Sequence, residues 1–206
     1  MVEDLASMAR RAWIALGLAA LLIAGPAAAV PNWAPGPSAV ALLTQGRVFI
    51  EVLSDGSDGQ GVIHAAIDIQ APREVVWRLM TDCAATPRLM RNAQCRVVSG
   101  DMRSGSDVRE QTTTGNLIFP AMRNQFRSVY TPYARLTFTR TEGDFRTLEG
   151  EWRLEPINNG AGTRVIYINR LAISVRLPAP LMREGMRRDV PKMLLNLRRE
   201  SLAAGR

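Results

Sequence analysis

Hydrophobic and polar positions change their spacing between residues 61 and 82. Across residues 61–70 the apolar side chains recur at every second position, which is typical of a half-buried β-strand. Pro72 then has the fixed φ of a first helical turn, and Glu74 places a carboxylate beside the unpaired amides of that turn. The apolar residues that follow recur at helical spacing: Val75, Val76, Leu79 and Met80. The pattern predicts a strand over residues 61–70 and a helix over residues 72–82.

The middle of the chain predicts further strands that are joined by polar turns. An earlier strand is predicted at residues 47–53, and a second short helix at residues 86–91. Later strands are predicted at residues 95–102, 107–119, 122–130, 134–142, 145–154 and 163–175. Turn signals at residues 143–144 and 158–160 separate the last three of these strands, which are therefore expected to run antiparallel.

A long helix is predicted to close the chain over residues 180–203. Its apolar residues recur at steps of three and four and form one stripe: Met182, Met186, Val190, Met193 and Leu197. Pro191 cannot donate the usual intrahelical hydrogen bond, so a bend is expected near it. Two interpretations of that bend stay open, a packing accommodation and a flexible lid.

Four segments occur in an order and spacing that match a known superfamily: residues 67–82, 150–156, 162–167 and 177–180. Together they resemble the START-like, helix-grip group of polyketide cyclases and dehydrases, lipid-transfer proteins and coenzyme Q-binding proteins. The resemblance covers residues 46–203 and implies an α+β fold. It implies a curved antiparallel sheet wrapped around a long C-terminal helix, with two short helices after the early strands. A ligand cavity between the sheet and the helix is part of the same expectation.

The cavity lining follows from strand alternation and from the helix stripe. One face of a middle strand carries Met122, Asn124, Phe126, Ser128 and Tyr130, while Arg123, Gln125 and Arg127 lie on the other. A second expected set consists of Leu148, Gly150, Trp152, Met182, Met186 and Met193. Gly150 is expected to leave room for a ligand or for the helix. Trp152 and the methionines are interpreted either as cavity wall or as ordinary core.

Candidates for catalysis come from the family enzymes, which act through a few polar cavity groups. Tyr130, Glu110 and Arg127 are the acid–base candidates, although alternation does not assign the inward face of the strand that carries Glu110. His64 is the single histidine and is expected in a structural role at the solvent or at an edge. Because no carboxylate cluster has metal-ligand spacing and no glycine-rich phosphate loop is present, no metal and no cofactor are expected.

The N-terminal residues have the order of a secretory signal. Two arginines precede an apolar run, and small residues follow it, which predicts a signal peptide over residues 1–29 with cleavage after Ala29. The alternative is an uncleaved membrane anchor. Residues 30–45 are rich in proline and are expected to form an extended tether before the domain at 46–203. Export to the periplasm is the predicted localisation.

The two cysteines, Cys83 and Cys95, allow one intramolecular pairing. An exported domain favours a disulfide between them, which would close a short loop and contribute about 3 kcal/mol. The alternatives are a buried pair of free thiols and a metal site.

The chain carries a formal net charge of +7, which favours anionic partners. The basic side of the last helix is a candidate for contact with an anionic membrane surface. That side is formed by Arg183, Arg187, Arg188, Arg198 and Arg199. Nucleic acid is not an expected partner, because no recognised binding motif is present.

Three functions compete at this stage. The first is an exported, non-catalytic protein that binds a hydrophobic small molecule such as a lipid or an isoprenoid quinone. The second is an enzyme of the cyclase or dehydratase kind, and the third is an adaptor at a membrane surface. The fold hosts unrelated activities, so the residues of the cavity must discriminate among them.

Overall fold

A computed structural model describes residues 32–54, 60–115, 120–174 and 178–205. It contains one eight-stranded antiparallel sheet in the order β1-β2-β8-β7-β6-β5-β4-β3. The strands are β1 (Phe49–Ser54), β2 (Gln60–Ile69), β3 (Ala93–Asp101), β4 (Ser106–Thr113), β5 (Met122–Thr131), β6 (Arg135–Gly143), β7 (Phe145–Ile157) and β8 (Gly162–Ile173). The segment predicted as signal peptide lies outside the described residues.

In the described part of the chain, four α-helices accompany the sheet: α1 (Pro37–Thr44), α2 (Arg73–Thr81), α3 (Thr86–Leu89) and α4 (Ala179–Ala204). The terminal helix α4 packs mainly on β1, β2, α2 and α3, and it continues through Pro191. We call the sheet face toward α4 the inner face, because it carries the main hydrophobic core. The predicted α+β helix-grip architecture is confirmed.

The junction of β2 and α2 has the predicted change of period. Ile67 and Ile69 are fully buried on the inner face of β2. Pro72 precedes the first turn of α2, which buries Val76 and Trp77. The indole of Trp77 contacts the ring of Tyr130 edge-on, with 6.2 Å between centroids, so α2 is fixed against the inner face.

The predicted disulfide is present. Cys83 lies in a short 3₁₀ turn after α2, and Cys95 lies in β3, with 4.9 Å between their Cα atoms. Asp82 accepts a hydrogen bond from the amide of Ala84 at 2.9 Å, which caps that turn. The bond between the cysteines therefore joins the helical corner to the edge of the sheet.

The expected extended conformation of residues 30–45 is wrong for α1, which is helical from Pro37 to Thr44. Ala39 and Leu43 lie one turn apart on α1, and both are buried. Leu43 belongs to a second core on the outer face of the sheet, with Ala66, Ile166 and Ile168 as its other buried members. Because β2 and β8 are apolar on both faces, an N-terminal segment is needed to cover the outer one.

His64 is buried in β2, and its expected position at the solvent or at an edge is wrong. It lies on the outer face beneath Trp33, with 4.9 Å between the ring centroids. Its Nδ1 lies 3.4 Å from a carboxylate oxygen of Glu51 on β1. His64 is shielded from solvent because Trp33 covers this part of the strand. The alternation pattern of the strand alone does not show this cover.

Candidate functional site

The inner face of β5–β7 carries apolar side chains that the protein leaves half-buried. The terminal helix packs at the β1–β2 side of the strand order, whereas these strands lie further across the sheet. Their half-buried apolar residues on the inner face include Met122, Phe126, Leu148 and Trp152. This surface can be covered by an apolar guest molecule, which would gain about 25 cal/mol for each Å² removed from water.

A charged cluster lies next to this apolar surface. The Nε of Arg109 donates to both carboxylate oxygens of Asp107, at 3.1 and 3.0 Å. The phenol of Tyr130 donates to the same carboxylate at 2.8 Å, and the guanidinium carbon of Arg109 lies 5.5 Å from the Tyr130 ring centroid. All three side chains are buried. The cluster therefore places fixed hydrogen-bonding groups beside an apolar wall, which is typical of sites that orient a ligand.

Tyr130 acts in this cluster as a hydrogen-bond donor. Burial raises the pKa of Tyr130 above its usual value. The positive charge of Arg109 opposes this effect on the pKa, while the hydrogen bond to Asp107 adds to it. The phenol thus stays protonated at neutral pH, which excludes Tyr130 as a general base under those conditions.

A second polar pair lies on the inner face of β8. The side-chain amide of Asn169 donates to the Tyr167 hydroxyl at 2.7 Å, and burial raises the pKa of Tyr167. The amide oxygen of Asn169 is buried and accepts no hydrogen bond from the described residues. Trp152 packs on Tyr167 with 4.3 Å between the ring centroids. A ligand hydroxyl that reached Asn169 would satisfy its free oxygen.

The other two catalytic candidates lie on the outer face of the sheet. Glu110 accepts hydrogen bonds from Arg96 at 2.7 Å and Arg123 at 2.6 Å, and from Gln125 at 3.1 Å. The hydrogen bond from Arg96, together with those from Gln125 and Arg123, lowers the pKa of Glu110 to about 2. Arg127 is exposed on the same outer face. The interpretation of Glu110 and Arg127 as cavity groups therefore does not hold, since β4 and β5 direct both away from the core.

The five β5 residues expected to share a face lie on the inner face. Met122 and Phe126 are half-buried, whereas Asn124, Ser128 and Tyr130 are buried. The side-chain oxygen of Asn124 accepts a hydrogen bond from the amide of Phe145 at 2.8 Å, so this residue fixes the β6–β7 turn. Ser128 is fully buried, and its hydroxyl makes no hydrogen bond to the described residues.

Gly150 leaves no room for a ligand, contrary to the expectation. A Cβ atom at this position would overlap the carbonyl oxygen of Ile168 and would lie 2.6 Å from Cζ of Phe138. Phe138 is the cross-strand partner of Gly150 on β6, and its ring occupies the space that the missing side chain leaves. The glycine therefore serves close packing of an aromatic ring.

The methionines of α4 pack at the β2 side of the core. Met182 and Met186 are buried, and Met193 is half-buried. The Sδ of Met186 lies 3.5 Å from where a Cβ of Gly61 would stand. Met182 and Met186 thus complete the core, and Met193 keeps the exposure that a cavity wall would have.

The basic side of α4 is partly engaged in local contacts. Arg188 pairs with Asp189 at 3.2 Å, and Arg199 pairs with Glu200 at 3.2 Å. Arg198 donates to the carbonyl oxygen of Gly46 at 2.6 Å. Arg183 and Arg187 make no ion pair with the described residues.

Two kinds of site are not found in the described part of the chain. No three His, Cys, Asp or Glu side chains converge there as a metal site would require. None of the helices described is both long enough and apolar enough to cross a membrane.

Several inner-face groups were missed from the sequence. Asp107 and Arg109 were not assigned to a face because the strand is polar on both sides. The register between β4 and β5 is the signal that places them on the inner face, because Arg109 lies opposite Phe126 and Asp107 lies opposite Ser128. Asn169 and Arg140 carried no motif and were not singled out.

Solved structures show which fold this architecture is. The Thermus thermophilus protein TTHA0849 superposes with a TM-score of 0.60 and 23% identity, over 70% of this chain and 99% of that chain. The lipid transfer and protein localization domain of human StarD13 superposes with a TM-score of 0.60 and 14% identity, over 75% of this chain and 84% of that chain. The Zhui aromatase/cyclase from Streptomyces sp. R1128 superposes with a TM-score of 0.56 and 12% identity, over 71% of this chain and 93% of that chain.

Sequence comparison agrees with the superpositions. No curated protein matches the chain. Residues 69–198, which span β2 to α4, match the family model described as polyketide cyclase/dehydrase and lipid transport. The chain therefore belongs to this START-like family, whose helix-grip fold binds hydrophobic ligands.

Proposed function

We propose that this chain is an exported protein that binds a hydrophobic small molecule, such as a lipid or an isoprenoid quinone, without transforming it. The molecule lies between the inner face of β5–β7 and α4. The observation that carries this proposal is the apolar surface of Phe126, Leu148 and Trp152, which stays half-buried while α4 packs mainly on β1 and β2. Lipid transport or transfer is part of the description of the family and of the StarD13 domain, which supports the same proposal.

Organic extraction and native mass spectrometry of the purified full chain test the binding. We expect an apolar molecule to accompany the protein and to be released by solvent. In Phe126→Glu, a negative charge would stand on the inner face, so this variant is expected to lose the molecule. Val129→Glu is the matched control, because Val129 is exposed on the outer face of the same strand. Wild-type protein that carries no apolar molecule, and takes none up from added lipid, would contradict the proposal.

Catalysis of the cyclase or dehydratase kind is the second candidate function. It is favoured by the buried phenol of Tyr130, which donates a hydrogen bond to Asp107. In catalysis, the proton of this phenol would be offered to a substrate carbonyl. Turnover of a linear poly-β-keto thioester would test it. Tyr130→Phe should then lower the rate strongly, whereas Arg127→Gln on the outer face should not. A wild-type chain without turnover would leave binding as the function.

Export is the third part of the proposal. Residues 1–29 have the sequence order of a secretory signal, and the disulfide supports an oxidising compartment. We expect the periplasmic fraction of expressing bacteria to contain a chain that begins at Val30. A chain that starts at Met1 in the membrane fraction would instead indicate an uncleaved anchor.

A further inference from the structure

Arg140 is a cation on the inner face of β6 with apolar side chains around it. It lies opposite Phe126 of β5, and it is two residues after Phe138 on the same face. Its Nη2 donates to the carbonyl oxygen of Gly143 at 2.9 Å. Its Nε is buried and has no hydrogen-bond partner among the described residues. The guanidinium therefore has one neutral acceptor, and no described carboxylate pairs with it.

The charges of the inner face do not balance around this arginine. Among the described inner-face positions of β4, β5 and β6, the charged residues are Asp107, Arg109 and Arg140. Arg109 and Arg140 lie opposite Phe126 from its two sides, so their Cα atoms are about two strand spacings, roughly 10 Å, apart. Asp107 is bound by Arg109. One positive charge is left over beside the apolar surface.

A half-buried cation without a carboxylate partner is costly, because the single carbonyl of Gly143 replaces only part of the hydration that burial removes. A ligand anion would supply the missing acceptor, and charge-assisted hydrogen bonds to a guanidinium are among the stronger ones. The position also suits an amphipathic molecule. Arg140 is three residues before the β6–β7 turn, while Phe138 and Trp152 extend the apolar surface along the strands away from it.

We propose that the bound molecule is an amphipathic anion whose carboxylate or phosphate is held by Arg140. Its apolar chain lies over Phe126 and extends toward Trp152, while the positive charge of Arg109 on the other side of Phe126 is neutralised by Asp107. The inference rests on the binding function proposed above and names the class of ligand. Fatty acids and phosphate-bearing lipids share this chemistry.

Isothermal titration of the full chain with three probes of equal chain length tests the assignment. The probes are dodecanoate, dodecyl phosphate and dodecanol at pH 8, below their micelle concentrations. We expect at least one of the two anions to bind about tenfold or more tightly than the alcohol, as a charge-assisted contact allows. Arg140→Gln should remove that preference and leave the dodecanol affinity within about twofold. The tighter of the two anions identifies the headgroup.

The controls separate this inference from the general function. Arg127→Gln removes an exposed arginine of the outer face and should keep the wild-type preference. Arg140→Lys retains the positive charge and should keep part of the preference for the anionic probes. Equal affinity of wild-type protein for the alcohol and both anions would overturn the anion assignment while leaving hydrophobic binding intact. An anion preference that survives in folded Arg140→Gln would overturn the role of Arg140. If no probe binds and extraction yields nothing, both proposals fail.

Discussion

Gly150 shows how one absent side chain shapes the inner face. The ring of Phe138 and the Ile168 carbonyl occupy the position of its missing Cβ, so Gly150→Ala must displace an aromatic ring or the β7–β8 backbone. We expect this change to lower the free energy of unfolding by about 1–3 kcal/mol, as overpacking does. Urea denaturation measures it. Gly36→Ala is the control, because a Cβ there meets nothing within 4 Å. Equal stability of both variants would contradict the packing account.

Glu110 gives a residue-scale prediction for acid stability. Hydrogen bonds from Arg96, Gln125 and Arg123 lower its pKa from 4.5 to about 2, so the folded state favours the ionised carboxylate. The contribution of Glu110 to the free energy of unfolding is therefore complete above pH 4.5 and is lost as the pH falls toward 2. Glu110→Gln should be less stable than wild type at neutral pH, and the difference should shrink across that window.

Denaturant unfolding between pH 7 and the acid limit of folding tests the role of Glu110. Glu142→Gln is the matched control, since Glu142 also pairs with Arg123 but is largely exposed. Exposed pairs contribute little to stability, so this control should change it only slightly. A difference between Glu110→Gln and wild type that stays constant from neutral pH to the acid limit would contradict the assigned cause.

The residues of the site were predictable from sequence where one strand face is apolar. In β5, apolar side chains mark the inner face, and alternation places Tyr130 there with Met122 and Phe126. In β4 both faces are polar, so only the register with β5 shows that Arg109 faces inward and Glu110 outward. Pairing between strands is a tertiary property, which a single strand does not encode.

At the scale of elements, α1 with the residues before it covers the outer core. Trp33 stacks on His64 and on Phe49, with 5.6 Å between the Trp33 and Phe49 centroids, and Arg153 donates to the Trp33 carbonyl. We expect Trp33→Ala to destabilise the protein by about 2 kcal/mol or more, because it removes a large apolar contact.

Thermal and urea unfolding of Trp33→Ala measure the contribution of this covering segment. Leu202→Ala is a suitable control, since it truncates a partly exposed apolar residue of α4. If the two variants lost equally little stability, the N-terminal segment would not be part of the cooperative fold. Proline and small residues around α1 indicate a linker when they are considered alone. Only the apolar outer faces of β2 and β8 create a need for its helix.

The disulfide is the second connection between elements that can be tested. It joins the turn after α2 to β3, across 12 residues of sequence. Removing it by the double change Cys83→Ser and Cys95→Ser should lower stability by about 3 kcal/mol through the entropy of the unfolded chain. Reduction of the wild-type protein should have a similar effect. Unchanged unfolding after verified reduction would contradict this expectation.

The whole molecule is divided into a closed half and an open half. On the closed side, α4 covers β1 and β2 on the inner face, and α2 contacts β8. On the outer face, α1 and Trp33 cover all three strands. On the open side, β4–β7 carry half-buried apolar groups together with the three charged residues of the inner face. The helix-grip fold was predictable because its strand and helix periods follow one another in a characteristic order. The chemistry of the open half was not, because it depends on cross-strand pairs.

This division predicts where a bound ligand changes the dynamics of the protein. A ligand that binds only the folded state stabilises it, by about 2.7 kcal/mol at a concentration of 100 times its Kd. Groups in direct contact gain additional protection against local opening. With saturating dodecanoate, amide hydrogen exchange should therefore slow most in β5, β6 and β7, and least in α1 and β1. Arg127→Gln should show the same pattern as wild type. If protection were instead concentrated at β1 and α1, the ligand would lie on the closed half of the molecule, which would contradict the proposed site.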